Sequence, residues 1–259
     1  MQKDYRALKK CSAILLILLL CSTTAFSMPR AQTLQRAKDF KHINVKVLKK
    51  IPLVKGYHEG LFYDGENIWV NNGQKGKIWV INPVSGAHLF DIEPVSTFTE
   101  TVTSMPDGSL FLTDWDTEKL YRVNLVGNSL VPQVFEVSFA PAHPAGAVCV
   151  GNKIYVIVWY RTPVGTRFRL LEICLDGTVS RIVTIKNINE PAHMAWDGKN
   201  LWITSWYNPF IYKIDINDWQ IAGSFRSPVS KTTGIVWDGK YLWLTGTYSD
   251  LYQIEVISP

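Results

Sequence analysis

A chain of 259 residues with 47% apolar and 19% charged content is globular rather than disordered, and long enough for one large domain or two small ones. The formal charge of +5 does not describe its body: residues 1–27 hold Lys3, Arg6, Lys9 and Lys10 against Asp4, which leaves +2 for the remainder. Beyond short solvated runs such as Lys49-Lys50 there is no basic stripe, so no nucleic-acid partner is expected.

The first 27 residues read as a cleaved export signal, with a basic start, an apolar run from Ala13 to Leu20 and small residues at Ala25 and Ser27. That run falls short of the roughly 20 residues of a membrane span, so no stable membrane anchor is expected. Leu20 stands before Cys21 where a lipoprotein signal needs a small residue. The expected destination is periplasmic or extracellular. Residues 28–42 lack strand periodicity and form a tether, after which INVKVLKKIPLV alternates apolar and polar side chains like a half-buried strand.

From His58 the chain repeats itself. Turn residues recur at Asp64, Asp107, Gly151, Asp197 and Asp238, and spacings of 43 residues from Asp64 to Asp107 and from Gly108 to Gly151, 47 from Gly151 to Gly198 and 41 from Asp197 to Asp238 are those of propeller blades. Each copy opens with an innermost strand, turns tightly, and continues with a second strand carrying an Ile/Leu-aromatic pair: Ile68-Trp69, Leu110-Phe111, Ile154-Tyr155, Leu201-Trp202 and Leu242-Trp243. An aromatic that recurs in every copy reads as packing between blades. The last copy has only three strands, so Asn44 to Leu53 is predicted to pair with Leu251 to Val256 and complete it. The expected fold is an all-β, five-bladed β-propeller over residues 43–259, closed by its N-terminal strand and monomeric. Cys11 and Cys21 leave with the signal. Cys149 falls on a first strand and Cys174 on a third, roughly 10 Å apart. That exceeds the reach of a disulfide, so both are predicted to be buried free thiols.

Departures from the repeat mark the candidate site. Aligned on their second strands, the copies place Glu59, Glu100, Ala145, Ala192 and Thr233 at one equivalent position at the rim of the central channel, with His58, His143, Glu190 and His193 close by. Like charges in a partly dried site raise at least one carboxyl pKa and suit it to proton transfer. Two other readings stay open: groups that satisfy channel amides and waters, or a cation held by Glu59, Glu100 and carbonyl oxygens.

Between Gly56 and Val256 the chain resembles the glutamine cyclotransferases (glutaminyl cyclases) of plants and bacteria, which are five-bladed propellers. The resemblance rests on Tyr57-His58-Glu59-Gly60-Leu61, Phe98-Thr99-Glu100, Leu112-Thr113, Asn189-Glu190, Leu201-Trp202 through Trp206, and Leu244-Thr245-Gly246, in that order. It implies conversion of an N-terminal glutamine to pyroglutamate without a cofactor. Glu100 would be the catalytic acid/base, Trp115 and Trp206 would wall the site, and Glu59, Asn189 and Glu190 would bind amine and amide. The chain departs from the pattern where a family Gln is Glu59, where a Gly after the second carboxylate is Thr101, and where the last blade lacks the family's Lys and Trp-Pro. The alternative is a non-catalytic exported propeller that binds a peptide, sugar or cation in its channel. No zinc-ligand spacing, phosphate loop or nucleophile elbow is present in the sequence.

Overall fold

The computed structural model describes residues 40–257 apart from Gln74 and Thr97. The expected export signal and most of the expected tether lie outside the described residues. Within them the chain forms five four-stranded antiparallel sheets and no helix. Blade 1 comprises β2 (His58–Tyr63), β3 (Ile68–Asn72), β4 (Lys77–Ile81) and β5 (His88–Ile92). Blade 2 comprises β6 (Thr99–Ser104), β7 (Leu110–Asp114), β8 (Lys119–Val126) and β9 (Ser129–Ser138). Blade 3 comprises β10 (His143–Val150), β11 (Lys153–Thr162), β12 (Gly165–Cys174) and β13 (Val179–Val183). Blade 4 comprises β14 (Pro191–Trp196), β15 (Asn200–Ser205), β16 (Phe210–Asp215) and β17 (Gln220–Arg226). Blade 5 takes β18 (Thr232–Trp237), β19 (Leu242–Gly246) and β20 (Leu251–Ile257) from the end of the chain and β1 (Asn44–Ile51) from its beginning. Their register runs from Asn44 opposite Ile257 to Ile51 opposite Leu251, which is the predicted closure. The innermost strands β2, β6, β10, β14 and β18 touch one another in turn and close the ring.

The turn after each innermost strand shows why the repeat is written as it is. Gly198 adopts φ +90°, and Asp197 Oδ1 accepts the backbone N–H groups of Lys199 (2.8 Å) and Asn200 (2.6 Å). The other oxygen, Oδ2, accepts the indole N–H of Trp202 at 2.8 Å. Asp64 with Trp69 and Asp238 with Trp243 repeat this bond, both at 2.7 Å. One carboxylate thus shapes the hairpin and satisfies the polar atom of the aromatic that the next strand buries.

Those aromatics fill the spaces between blades. Five apolar clusters form, one at each blade junction: Trp69 meets Val102 and Leu112, Phe111 meets Ala147 and Ile154, and Tyr155 meets Met194 and Leu201. Trp202 meets Ile235 and Leu242, and Trp243 meets Leu61 and Ile68. A ring of this kind has no single core, and each blade is stable only through its neighbours. Before β1 the chain runs beside β17, where Ile43 N–H bonds the Ser224 carbonyl and Ser224 N–H bonds the Lys41 carbonyl, both at 2.9 Å, so the outer edge of blade 4 is covered.

Cys149 on β10 and Cys174 on β12 are both free. Burial pushes the Cys149 thiol up to about 12. Cys174 is half-buried rather than buried. Lys153 Nζ approaches its sulfur at 2.9 Å, and this hydrogen bond leads the causes that lower its pKa.

Candidate functional site at the channel mouth

Every innermost strand slips register at the same level: between His58 and Leu61, Thr99 and Thr101, Pro144 and Ala147, Pro191 and Met194, and Thr232 and Gly234. The residues released from the ladder include Glu59, Glu100, Ala145, Ala192 and Thr233, the five positions singled out by the alignment of copies. A bulge bends its strand and re-aims the freed side chain. Glu59, Glu100, Ala145 and Ala192 line a cavity of about 300 Å³ at the mouth of the ring. Thr233 instead buries its hydroxyl against the His58 carbonyl.

The walls come from two other repeated positions. Five residues beyond the Ile or Leu that opens each Ile/Leu-aromatic pair stand Gly73, Trp115, Trp159, Trp206 and Thr247, and all three tryptophans line the cavity. The residue before each innermost strand is Tyr57, Phe98, Ala142, Glu190 or Lys231, of which Tyr57 and Phe98 line it. The two positions are tied by backbone bonds: Gly73 N–H to the Tyr57 carbonyl (3.1 Å), Trp115 N–H to Phe98 (3.1 Å) and Trp206 N–H to Glu190 (2.9 Å). Trp115 lies flat against His143, with ring centroids 4.5 Å apart and planes 9° from parallel. Trp159 donates its indole N–H to the Pro191 carbonyl at 2.8 Å, and Tyr57 meets Tyr248 edge-on at 5.4 Å. Backbone and ring contacts thus hold these wall residues in place.

Glu59 is 3% exposed, and burial pushes its carboxyl up to about 8. Glu100 keeps an open side toward the cavity, yet burial raises its pKa well above the carboxylate range, and the negative charges of Glu59, Asp114 and Asp116 add to the shift. Among the described residues no lysine or arginine lines the cavity to offset them. Burial thus disfavours the charged form of both carboxyls and suits them to exchange protons. Beneath them His193, 2% exposed, crosses the channel. Its Nδ1 faces the Ile235 N–H at 3.4 Å, and its Nε2 lies 2.6 Å from where a Gly60 side chain would begin. Burial lowers its pKa to about 4, so it is uncharged, and Nε2 finds no protein partner among the described residues.

The imidazoles do not converge on the mouth. His58 turns into blade 1, where Nε2 meets the Val54 carbonyl at 2.9 Å and the ring meets Trp79. His143 braces Trp115 from behind, its Nδ1 3.1 Å from the Trp115 carbonyl. Four of the six predicted site residues, Glu59, Glu100, Trp115 and Trp206, share the cavity. Asn189 and Glu190 are not among its lining residues: their carbonyls receive the Ser205 hydroxyl (2.6 Å) and the Trp206 N–H (2.9 Å), so they hold the blade 4 wall by backbone. Trp159 and Tyr207 were not singled out. The signal for Trp159 was its place five residues after Ile154 of the recurrent pair, matching Trp115 after Leu110 and Trp206 after Leu201.

No group of three metal-binding side chains stands together among the described residues. The carbonyls of Glu100 and Ala145 already accept from Asn71 Nδ2 (3.0 Å) and the Thr113 hydroxyl (2.6 Å). This leaves a channel cation two carboxylates and few further ligands.

No family model and no curated protein matches the chain by sequence. Solved structures match it by shape. Myxococcus xanthus glutaminyl cyclase is similar with a TM-score of 0.61 at 12% identity, over 85% of this chain and 100% of that one. The PQQ-bound aldose sugar dehydrogenase of Streptomyces coelicolor gives 0.58 at 13% identity, over 83% and 99%. Virginiamycin B lyase of Staphylococcus aureus gives 0.52 at 12% identity, over 83% and 100%. At such identities the likeness is one of propeller architecture, and three different chemistries share it.

Proposed function

We propose that the chain is an exported, monomeric glutamine cyclotransferase-like enzyme, which closes the N-terminal glutamine of a peptide into pyroglutamate and releases ammonia. One observation carries the reading: two carboxyls of raised pKa, Glu59 buried and Glu100 open to the cavity, stand together in a cavity walled by aromatic rings, and one of them lies in the Phe98-Thr99-Glu100 stretch that resembles the family motif. The likeness to a glutaminyl cyclase among the solved structures agrees with it.

In this reading the α-amine attacks the γ-carboxamide carbon of the same residue, a C–N bond forms, and the C–NH₂ bond breaks. The reaction is intramolecular, so the protein needs only to fold the substrate into the attacking geometry and move protons. Glu100, once ionised, takes a proton from the attacking amine and delivers it to the departing nitrogen, which leaves as ammonia. A positioned acid/base of this kind is worth about 10² to 10⁴ in rate. Glu59 holds the amine, Trp115 and Trp206 exclude water, and Asn189 and Glu190 set the loop that carries Trp206. The position of those last two away from the cavity favours a second reading, a propeller that binds its ligand without turning it over.

The experiment is ammonia release from a Gln-initiated peptide by the purified protein, followed in a coupled assay with and without chelator. Glu100→Gln is expected to lower the rate about 10² or more, and chelator to leave it unchanged. Undiminished turnover by Glu100→Gln removes Glu100 from the mechanism, and no turnover by the native chain leaves the binding reading.

A further inference from the structure

We infer that the mouth cavity is a site for organic cations: it recognises an alkylammonium group as such, quaternary ammonium included, by enclosing it in aromatic faces above two carboxyl groups. The inference concerns the cavity used in the cyclisation reading and rests on that reading only for the choice of site, since it requires no reaction.

Three features point to a cation. Rings of Tyr57, Phe98, Trp115, Trp159, Trp206 and Tyr207 surround a space of about 300 Å³, at the small end of ligand pockets and fit for a head group rather than a polymer. The negative faces of such rings attract a positive charge, most strongly when it is desolvated. The charges near the base are of one sign. Glu59 on β2 and Glu100 on β6 face each other's field, and Asp114 and Asp116 at the β7–β8 connection act on Glu100. His193 below is uncharged. A neutral ligand such as a sugar could stack on the walls and hydrogen-bond the carboxyls but would leave the cost of charging them in place, whereas a cation allows them to ionise.

The third feature is internal. Lys231, on the lip, already lays its ammonium against two of the rings, 5.7 Å from the centroid of Trp206 and 5.8 Å from that of Tyr207. The chain's own side chain thus shows what these faces accept. Lys231 also separates two ligand classes. If the ligand is a cation, Lys231 competes with it for ring surface and repels it; if the ligand carries a carboxylate, Lys231 attracts it.

The test is titration of the full purified chain by calorimetry and by tryptophan fluorescence, with choline, tetramethylammonium and 3,3-dimethylbutanol, the uncharged carbon isostere of choline. The cations are expected to bind about tenfold or more tightly than the alcohol. Binding should release protons, seen as a heat that depends on the ionisation enthalpy of the buffer, and should weaken as pH falls. Glu59→Gln with Glu100→Gln, which keeps shape and hydrogen bonding, should abolish the proton release and shrink the preference for choline over the alcohol to the part the rings supply, and Lys231→Ala should tighten choline about threefold. Equal binding of choline and alcohol, or no binding of either, overturns the inference, as does weaker choline binding in Lys231→Ala. Ammonia release without a preference for cations would refute this inference and leave the cyclisation reading standing; the opposite pair of results would do the reverse.

Discussion

Glu59 illustrates how one buried side chain ties stability to chemistry. Its carboxyl titrates near 8 in the fold because burial disfavours the charge, and near 4.5 once the chain is unfolded. Between these values the folded protein binds the extra proton, so folding loses stability as pH rises through that window and is insensitive above it. Glu59→Gln is neutral in both states and escapes the loss. The variant is therefore expected to gain on the native protein between pH 5 and pH 9 by roughly 3–5 kcal/mol, read from urea unfolding at the two pH values. A difference that does not change with pH would mean that the Glu59 carboxyl is solvated. Holding such a group at the base of a cavity costs stability that the scaffold recovers elsewhere, and a ligand amine that neutralises the charge would return part of it.

The hairpins explain which features were legible in the sequence. Asp-Gly turns and Leu-Trp pairs recur because the same bond is made in blades 1, 4 and 5, so reading the copies together revealed the blade count, the strand order and the closure. Blade 2 has Phe111 in place of tryptophan, so its Asp107 has no indole to hold and keeps the turn bond, to Ser109 N–H at 2.9 Å. This predicts a graded result. Asp197→Ala leaves the indole N–H of Trp202, 1% exposed, without a partner and should cost about 1–3 kcal/mol. Asp107→Ala should cost distinctly less, and equal losses in thermal or urea unfolding would show that the indole bond contributes nothing. The bulges were harder to read. A slip of one residue is a property of two strands together and has no residue type of its own. The five rim positions could be found by alignment, but the turning away of His58, the backbone role of Asn189 and Glu190, and the inward aim of Trp159 could not.

At the scale of the whole ring the site belongs to no blade. Glu59 comes from blade 1, Glu100 and Trp115 from blade 2, Trp159 from blade 3 and Trp206 from blade 4, while Lys231 on the lip directly precedes blade 5. The cavity therefore exists only while all five junctions are closed, and one of those blades is itself held together by strands from opposite ends of the chain. Removing residues 1–51 would strip β1 from β20, leave β20 as an open edge and unclamp blade 5. The shortened chain is expected to associate on size exclusion and to lose the tryptophan-detected cation response even though no cavity residue has been deleted. The control is a circular permutant that moves residues 44–54 behind Ile257. Asn44 already faces Ile257 across the β1–β20 ladder, so a short Asn-Gly turn can join the two strands as an ordinary hairpin. The permutant should recover the monomer, the melting temperature and the ligand response. A shortened chain that melts like the native protein would show that the ring does not depend on its seam, and the site would then owe its shape to the four blades that carry it.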